Sequence, residues 1–376
     1  MDDKKCINLM CGNFKVMRIN TTDGIYAIEN SELIPYQLKG KITDTRNLLY
    51  GHPISQVLPI MNVNYSSILA YLANRILSID RKNSKQILNC LNLSQGQSMT
   101  EKAKISLICR SVSVLDNYWL KTDDENVRWE DINVRENSLN KTVAHVALHG
   151  SSLTLQGMIN TPELTTHGAY AKCWKRENGG LYLIKAGNNQ GTEPKLEIQS
   201  SRVLDKTNVR HVIYEQTISE GLFCSKCKCM TNNKLSIIDA RELYEYCSSN
   251  GYNFDKIAYS IDGDTIYKMG IVDYIIGNSD RHKGNWGFYY DSQSMRIMGC
   301  HPLYDHNNSF NAYVLSNDDA EYAYNQRNML EWARYCTKHT DFRFNFPLKR
   351  SDFYYSYHCD AVIERAAKLG IAVKAE

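Results

Sequence analysis

The stretch from Asp273 to Phe310, DYIIGNSDRHKGNWGFYYDSQSMRIMGCHPLYDHNNSF, decides the fold, because it sets two aspartates in polar loops that each follow an apolar run. Asp280 comes after a Gly-Asn pair, which is typical of a helix end. The segments WGFYYD and MRIMGC, joined by a polar turn, predict a β-hairpin. A hairpin returns the chain to its starting point, so we expect Asp280, Asn285 and Asp305 to converge.

Two carboxylates and one amide oxygen make a hard oxygen site of the kind that Mg²⁺ prefers. Phosphoryl transfer needs such a set, since one aspartate orients or deprotonates the acceptor hydroxyl while the others hold magnesium on the ATP phosphates. The spacing of Asp280 and Asn285 matches the Asp-x4-Asn of protein-kinase catalytic loops, and Asp305 stands where their Asp-Phe-Gly would stand. The alternative is that the aspartates are loop carboxylates that cap backbone amides.

An ATP kinase also needs a lysine on an upstream strand and a glutamate on the helix that follows it. YLIKAG predicts a short strand that carries Lys185, and PKLEIQSSRVLDK predicts a helix that begins at Pro194 and carries Glu197. The alternatives are that Lys185 is a strand-edge lysine placed against aggregation, and that Glu193 serves in place of Glu197. THGAYAK, upstream of Lys185, supplies a glycine-containing turn that can lie over the phosphates.

The rest of the chain divides at a polar segment. Residues 6–38 carry short alternating apolar pieces between turn residues, which predict two or three strands. Helical spacing appears between Val63 and Leu115. The charged run from Lys121 to Lys141 is interpreted as a long surface connection, with Trp129 as its anchor.

The order of elements after this connection predicts an α+β protein. From Val143 to Gly221 the pattern predicts a strand, a loop, a strand, a helix and a strand, the last at 209–216. DTIYKMGIVDYIIGN predicts a helix with Asp264 as its N-cap. We therefore predict three parts: an N-terminal α/β accessory region (1–140), a small mostly β lobe with the ATP lysine (141–230), and a helical lobe with the catalytic loop and metal site (231–376).

The amino-acid composition limits the classes of protein to which the chain can belong. The 376 residues are 43% hydrophobic and 23% charged, which excludes global disorder. The net charge of +3, from 44 basic and 41 acidic residues, argues against direct nucleic-acid binding and against a membrane surface. No secretory leader and no run of about 18 uncharged apolar residues is evident, so we expect a cytoplasmic protein with reduced thiols.

The cluster CSKCKC raises a zinc hypothesis. Cys224, Cys227 and Cys229 have close spacing, and Cys247 or His211 could complete a site. The favoured interpretation is that these cysteines are reduced and partly buried under the adenine.

Two sequence segments resemble the C-terminal lobe signature of HipA-like serine/threonine kinases: GNSDRHKGNWGF and PLYDHNNSF. This family includes the HipA toxins and the shorter CtkA-type kinases, and is related in fold to phosphoinositide kinases. GAYAK, residues 168–172, resembles the phosphate loop of HipA toxins. The resemblance covers roughly residues 143–376 and implies a two-lobed, protein-kinase-like fold that uses ATP and Mg²⁺.

The resemblance also implies a role for each candidate residue. Lys185 would contact the α- and β-phosphates and Glu197 would hold it, while 214–229 would form the hinge and adenine pocket. Asp280 would be the catalytic base, with His282 supporting its loop or polarising a phosphate. The metal ligands would be Asn285 and Asp305, and the loop over the phosphates would contribute Gly168, Ala169, Tyr170 and Lys172.

Two departures from the family pattern limit the functional expectation. Thr165 and Thr166 stand where HipA toxins carry the serine-bearing loop that they autophosphorylate, and residues 1–140 do not match the module that docks an antitoxin. We expect an autophosphorylating protein serine/threonine kinase with a protein substrate, and a toxin role with a small antitoxin-like partner is a further hypothesis. The alternatives are a lipid or small-molecule kinase and a non-catalytic kinase-fold binding module.

Overall fold

The computed structural model describes residues 6–49, 52–157, 160–187 and 191–376. The strands are β1 Cys6–Cys11, β2 Phe14–Asn20, β3 Tyr26–Ile28, β4 Tyr118–Thr122, β5 Lys172–Glu177, β6 Gly180–Ala186, β7 Glu215–Ser219, β8 Leu222–Lys228, β9 Leu235–Asp239, β10 Gly287–Asp291, β11 Ile297–Cys300, β12 Glu321–Tyr322 and β13 Arg327–Asn328. The helices are α1 Thr45–Leu49, α2 Ile54–Asn74, α3 Ser84–Cys90, α4 Met99–Ile108, α5 Trp129–Ile132, α6 Lys141–His149, α7 Thr192–Leu204, α8 Ala240–Ser249, α9 Phe254–Ile275, α10 Ala312–Ser316, α11 Met329–Thr337 and α12 Ser356–Lys368.

The N-terminal region is a small antiparallel sheet covered by helices. The predicted strands β1, β2 and β3 are confirmed, and β4 pairs with β1 to give the order β3-β2-β1-β4. Both faces of β1 are buried, since Leu9 packs into the largest hydrophobic core and the next residue, Met10, packs into a different one. Trp129 is also buried and packs with Ile132 and Val134, as its predicted anchoring role requires. The interpretation of 121–141 as a surface connection is wrong in part, because the segment contains α5 and the side chains of 132–135 are buried.

The middle lobe is a second antiparallel sheet, of order β5-β6-β8-β7, with α7 packed against it. The strand predicted from Val143 is wrong, because this segment is the helix α6. Val143, Val146 and Ala147 recur at helical spacing and are fully buried, and the side chain of Asn140 caps the first turn. The strand predicted at 209–216 is also misplaced, since β7 begins only at Glu215.

The C-terminal lobe is mostly helical, with a three-stranded sheet of order β11-β10-β9. The predicted hairpin is confirmed as β10 and β11. The N-cap prediction is wrong: α9 kinks at Asp262, whose carboxylate accepts from the Thr265 amide at 3.2 Å, while Asp264 pairs with Lys268 along the helix. The kink sets a new helix start two residues earlier than the sequence predicts.

The largest hydrophobic core joins the N-terminal sheet to the C-terminal lobe. Tyr118 on β4 donates to the Leu33 carbonyl at 2.8 Å, and Tyr36 donates to the carbonyl of Met295 in the β10–β11 turn. The N-terminal region is therefore packed into the body of the protein, and the predicted boundaries at 140 and 230 stay predictions. None of the described helices is both long and apolar enough to cross a membrane.

Candidate active site

The cleft between the two lobes contains Lys185, on the central strand β6. Its ammonium lies 2.5 Å from Glu197 Oε1 on α7 and 3.0 Å from Asp305 Oδ1 in the opposite lobe. Because β6 is hydrogen-bonded on both sides, by β5 and β8, the strand-edge interpretation of Lys185 is wrong. Glu197 is the carboxylate in contact with it, so the sequence alternative Glu193 is not needed for this pair.

Two further groups hold the pair in place, and both lie in the segment 214–229 that the resemblance assigns to the hinge and adenine pocket. Ser225 on β8 donates to Glu197 Oε2 at 2.6 Å, so that both carboxylate oxygens are engaged. The hydroxyl of Tyr214 lies 3.4 Å from Lys185 Nζ and accepts from the backbone amide of Asp305 at 3.4 Å. Tyr214 thus contacts a residue of each lobe.

The electrostatics of this pair favour charged groups. Burial raises the pKa of the Asp305 carboxyl, but the charges of Lys185 and Lys172 outweigh it and hold that pKa well below its usual range. Burial likewise opposes the charged form of Lys185, yet Asp305 and Glu197 raise its pKa well above the ordinary lysine value. Asp305 is therefore an ionised carboxylate beside a charged ammonium.

The loop after α9 carries Asp280 and Asn285. Gly277 has a φ of +64° and ends the helix, as its sequence position predicts. Asn308 Nδ2 donates to Asp280 Oδ2 at 2.7 Å, and Asn285 Nδ2 donates to the Asp280 carbonyl at 2.9 Å. His282 is exposed, and its Nδ1 accepts from the Gly284 amide at 3.0 Å, so its hydrogen bond supports the loop.

A buried ion pair fixes this loop. Arg281 makes two 2.9 Å hydrogen bonds to the carboxylate of Asp273 on α9, and both side chains are fully buried. Its Nη1 also donates to the carbonyls of Asn285, at 2.7 Å, and Tyr304, at 2.6 Å. One guanidinium nitrogen therefore brings the backbone of Asn285 next to that of the residue before Asp305. The sequence feature that could have indicated this ion pair is Asp273, an aspartate inside the apolar run of α9.

Asn285 and Asp305 fit a hard divalent cation. The amide nitrogen of Asn285 is used by its own loop, which leaves Oδ1 as the atom that a cation can take. Asp305 adopts a φ of +62°, a left-handed conformation that aspartate tolerates better than most residues. An ionised carboxylate and an amide oxygen are ligands that Mg²⁺ prefers.

The glycine-containing turn lies beside this cleft, at the start of β5. Gly168 has a φ of +100°, and a Cβ there would lie 2.3 Å from Lys172 Nζ. Gly168 and Ala169 are exposed, whereas Lys172 is buried and donates to the His167 carbonyl at 2.9 Å. Burial and the charge of Lys185 lower the pKa of Lys172 to about 7. The same cleft contains a pocket lined by Tyr170, Lys172, Lys185, Ala186, Glu193, Pro194, Glu197 and Asn307.

The turn is held from the N-terminal region, through a residue that the sequence analysis missed. Arg81 is 2% exposed and donates to the carbonyls of Glu163, at 2.6 Å, Thr166, at 2.9 Å, and Lys172, at 2.6 Å. The backbone amide of Lys82 donates to the Ala169 carbonyl at 2.8 Å. The N-terminal region therefore sets the conformation of the loop over the pocket.

The zinc hypothesis for the cysteine cluster is not supported. Cys224, Cys227 and Cys229 pack into three different hydrophobic clusters. Burial raises the pKa of the Cys224 thiol to about 11 and that of Cys227 to about 12, which disfavours the thiolates that zinc requires. The favoured interpretation of buried, reduced cysteines fits Cys224 and Cys227.

Comparisons with known proteins agree with this architecture at the level of fold. No protein-family model matches the chain, and no curated protein matches it by sequence. Among solved structures, the chain is similar to HipA of Shewanella oneidensis in its complex with HipB and operator DNA, with a TM-score of 0.50 and 10% identity over 96% of this chain and 95% of that one. The proinflammatory kinase CtkA of Helicobacter pylori matches with a TM-score of 0.37 and 15% identity, over 52% of this chain and 90% of that one.

The similarity to HipA spans nearly the whole of both chains. The chain therefore has the two-lobed HipA-like kinase fold, with a small mostly β lobe and a helical lobe, and an N-terminal α/β region precedes them. The expected fold class and the resemblance to HipA-like kinases are confirmed.

Proposed function

We propose that this protein is an ATP- and Mg²⁺-dependent protein serine/threonine kinase. The observation that carries the proposal is the contact across the cleft, where Lys185 lies between Glu197 and Asp305. Beside it, a buried arginine joins the Asp280–Asn285 loop to the backbone before Asp305. A phosphate-binding lysine, two metal-binding oxygens and a loop aspartate are the parts that phosphoryl transfer requires.

The proposed chemistry gives each side chain one task. Lys185 and Lys172 bind phosphate oxygens of ATP, and Glu197 holds Lys185 in the extended position that reaches them. Asp280 accepts a hydrogen bond from the acceptor hydroxyl and takes its proton. Asn285 and Asp305 would hold Mg²⁺, which supplies charge neutralisation on the phosphates when bound.

The position of Asp280 supports the base role. Asn308 Nδ2 binds one carboxylate oxygen, Oδ2, and fixes the plane of the group. Asp280 is only partly buried, so its other oxygen is accessible from solvent and can accept a hydrogen bond from the acceptor hydroxyl of a docked substrate chain. His282, on the same loop, is proposed to support the loop rather than to touch the phosphates.

We propose that autophosphorylation uses a site other than Thr165 or Thr166. Thr165 is buried, and its hydroxyl donates to the Val112 carbonyl at 2.9 Å. The Thr166 hydroxyl donates to the Pro162 carbonyl at 2.6 Å and accepts from Trp174 Nε1 at 2.9 Å. Both hydroxyls are engaged inside the lobe.

A toxin role with a small antitoxin-like partner is the finer part of the proposal. Its support is the similarity to HipA, a structure that contains HipB and operator DNA. Purification from the native host, followed by size measurement, tests it: a co-purifying small protein is expected, and a lone chain there would count against it.

The first experiment is incubation with γ-labelled ATP and Mg²⁺, with label measured on the protein itself. Wild type and Asp341→Ala should incorporate label, since Asp341 is an exposed carboxylate distant in sequence from the loop. Asp305→Ala and Lys185→Met should incorporate none. Label on serine or threonine establishes the acceptor class, whereas label in added phosphoinositide rather than protein would favour the lipid-kinase alternative.

Absence of label in every variant is resolved by calorimetry with ATP. Binding to wild type, weakened in Lys185→Met, would indicate a kinase that needs its own substrate. Failure of wild type to bind ATP would contradict the proposal and favour a non-catalytic binding module.

A further inference from the structure

Two histidines lie one helical turn apart on α6. The helix begins after Asn140, whose side chain accepts from the first-turn amides, and ends at Gly150 in the left-handed conformation. His145 and His149 therefore share one face of the last turns. Their rings are stacked, with centroids 4.6 Å apart. This is the spacing at which two imidazoles of one helix can share a metal ion.

The tip of the β7–β8 hairpin presents a glutamate to these histidines. Glu220 and Gly221 form its two-residue turn, with φ angles of +49° and +84°. Such turns favour asparagine, aspartate or glycine, because the left-handed conformation crowds a longer side chain. A glutamate held there is a local strain of the kind that accumulates at functional sites.

The three side chains converge on one point. Glu220 Oε2 lies 2.5 Å from His145 Nδ1 and 3.3 Å from His149 Nε2. His149 Nε2 is buried and makes no hydrogen bond within the described chain. His145 Nε2 lies 2.9 Å from the Ser151 hydroxyl, a contact that orients the ring from behind as an outer partner does in metal sites.

We propose that His145, His149 and Glu220 form a binding site for one Zn²⁺ ion, which joins α6 to the β7–β8 hairpin. Two imidazole nitrogens and one carboxylate are a common zinc ligand set, with a fourth position for water. Tetrahedral bonds of about 2.0–2.1 Å place ligand atoms roughly 3.3 Å apart, which matches the His149–Glu220 distance. The His145–Glu220 contact must open by about 0.8 Å to reach the same spacing.

The charges around the site are compatible with a cation. Burial lowers the pKa of His149, which favours the neutral ring that a metal needs, and the hydrogen bond from His145 lowers the pKa of Glu220. Besides the two histidines, Lys175 is a basic side chain near the carboxylate, and its Nζ lies 3.8 Å from Oε1 and 2.7 Å from the Ser219 hydroxyl. The zinc ligand atom is the other oxygen, Oε2. The alternative is an ion pair between His145 and Glu220 that binds no metal.

A variant at His149 distinguishes these alternatives. His149 is a ligand in the proposed zinc site, whereas it makes no hydrogen bond in the ion pair between His145 and Glu220. The test uses tag-free, full-length protein stripped with a chelator and held in excess Mg²⁺, so that the oxygen ligands of the cleft are occupied. Zinc is titrated in competition with a chromophoric indicator. Wild type is expected to bind one Zn²⁺ per chain, and His149→Ala should weaken that binding at least tenfold. His52→Ala, which removes an exposed histidine elsewhere, should bind like wild type.

A second measurement begins with wild type and so does not depend on the folding of a variant. Co²⁺ added to wild type should give the visible absorption of a tetrahedral nitrogen–oxygen site, and Zn²⁺ should displace it. Glu220→Gln, which keeps the shape of the side chain, should bind Co²⁺ at least tenfold more weakly. Wild type that binds no Zn²⁺, or binding that survives in His149→Ala, would overturn the proposal.

The zinc site does not depend on the proposed kinase activity. Zinc binding in a protein that neither transfers phosphate nor binds ATP would refute the kinase alone, and phosphate transfer without zinc binding would refute the site alone.

Discussion

The two loops that border the cleft are held in different ways. The loop with Asp280 is held by Arg281, whose partner Asp273 lies eight positions away on the preceding helix. The turn with Gly168 is held by Arg81, whose carbonyl partners lie 82 to 91 positions downstream. One loop is therefore fixed by its own lobe and the other by the N-terminal region.

The two arginines also differ in what compensates their burial. Burial disfavours the charge of Arg281, but Asp273 raises its pKa above the ordinary arginine value. Burial lowers the pKa of Arg81 to about 10, with only a partial offset from Glu163. Both guanidinium groups stay charged at neutral pH, but Arg281 has a hydrogen-bonded carboxylate that compensates its burial, whereas Arg81, among the described residues, hydrogen-bonds only backbone carbonyls. The comparison predicts different consequences for the same substitution.

Arg281→Met should have the largest effect. It leaves the fully buried carboxylate of Asp273 without its cation, and the loss of one member of a buried pair destabilises a protein by about 3–5 kcal/mol. Urea unfolding measures this change, and the double variant Arg281→Met with Asp273→Leu should recover part of it. A loss below about 1 kcal/mol would mean that the pair does not hold the loop.

Arg81→Met should destabilise the protein less than Arg281→Met, and its effect should fall more specifically on the turn over the pocket. It removes one donor from each of three carbonyls but, unlike Arg281→Met, leaves no carboxylate in the described part of the chain that was hydrogen-bonded to the arginine, so we expect about 2–3 kcal/mol in urea unfolding. Because the turn over the pocket loses its support, ATP affinity by calorimetry should fall about tenfold at a temperature where the variant is folded. Unchanged affinity would show that the N-terminal region contributes only to stability.

Tyr214→Phe should have a smaller effect, on one of the contacts between the two lobes. The hydroxyl contacts Lys185 and the Asp305 amide at 3.4 Å each, and long hydrogen bonds of this kind contribute about 0.5–1 kcal/mol. ATP affinity should fall about two- to fivefold, while Tyr252→Phe, at an exposed tyrosine, should leave it unchanged. A loss above about 2 kcal/mol would make Tyr214 a stronger link between the lobes than its distances indicate.

The comparison of the loops also explains which parts of the site the sequence could predict. The hydrogen bonds of Asp280, Arg281 and Asn285 span at most 28 positions, so the helix stop and the hairpin were enough to bring Asp280 to the segment of Asp305. No local pattern marks Arg81, because its partners are backbone carbonyls in another lobe. The helix α6 was predicted as a strand because its β-branched residues outweighed the Asn140 and Gly150 caps.

Lys172 provides a prediction about pH. Its pKa in the folded protein is about 7, below the ordinary lysine value of 10.5. Between these two values the unfolded chain holds more protons, so this group makes the folded state more stable as pH rises through that window. Below about pH 7 Lys172 is protonated in both the folded and the unfolded state, so its destabilising effect no longer changes with pH. Lys172→Met should remove the rise in stability above that pH. Urea unfolding at about pH 7 and about pH 9.5 measures the difference.

A second prediction for Lys172 has the smallest and most specific effect: the protein should take up a proton when it binds the nucleotide. Phosphate charges beside Lys172 favour its charged form, so MgATP binding at about pH 8 should take up about half to one proton, and at about pH 6 close to none. Calorimetry in two buffers of different protonation enthalpy measures this number. Lys172→Arg should bind MgATP without uptake, because arginine keeps its proton. Equal enthalpies in both buffers at about pH 8 would mean that the phosphates do not reach Lys172, and the turn held by Arg81 would then not be the phosphate loop.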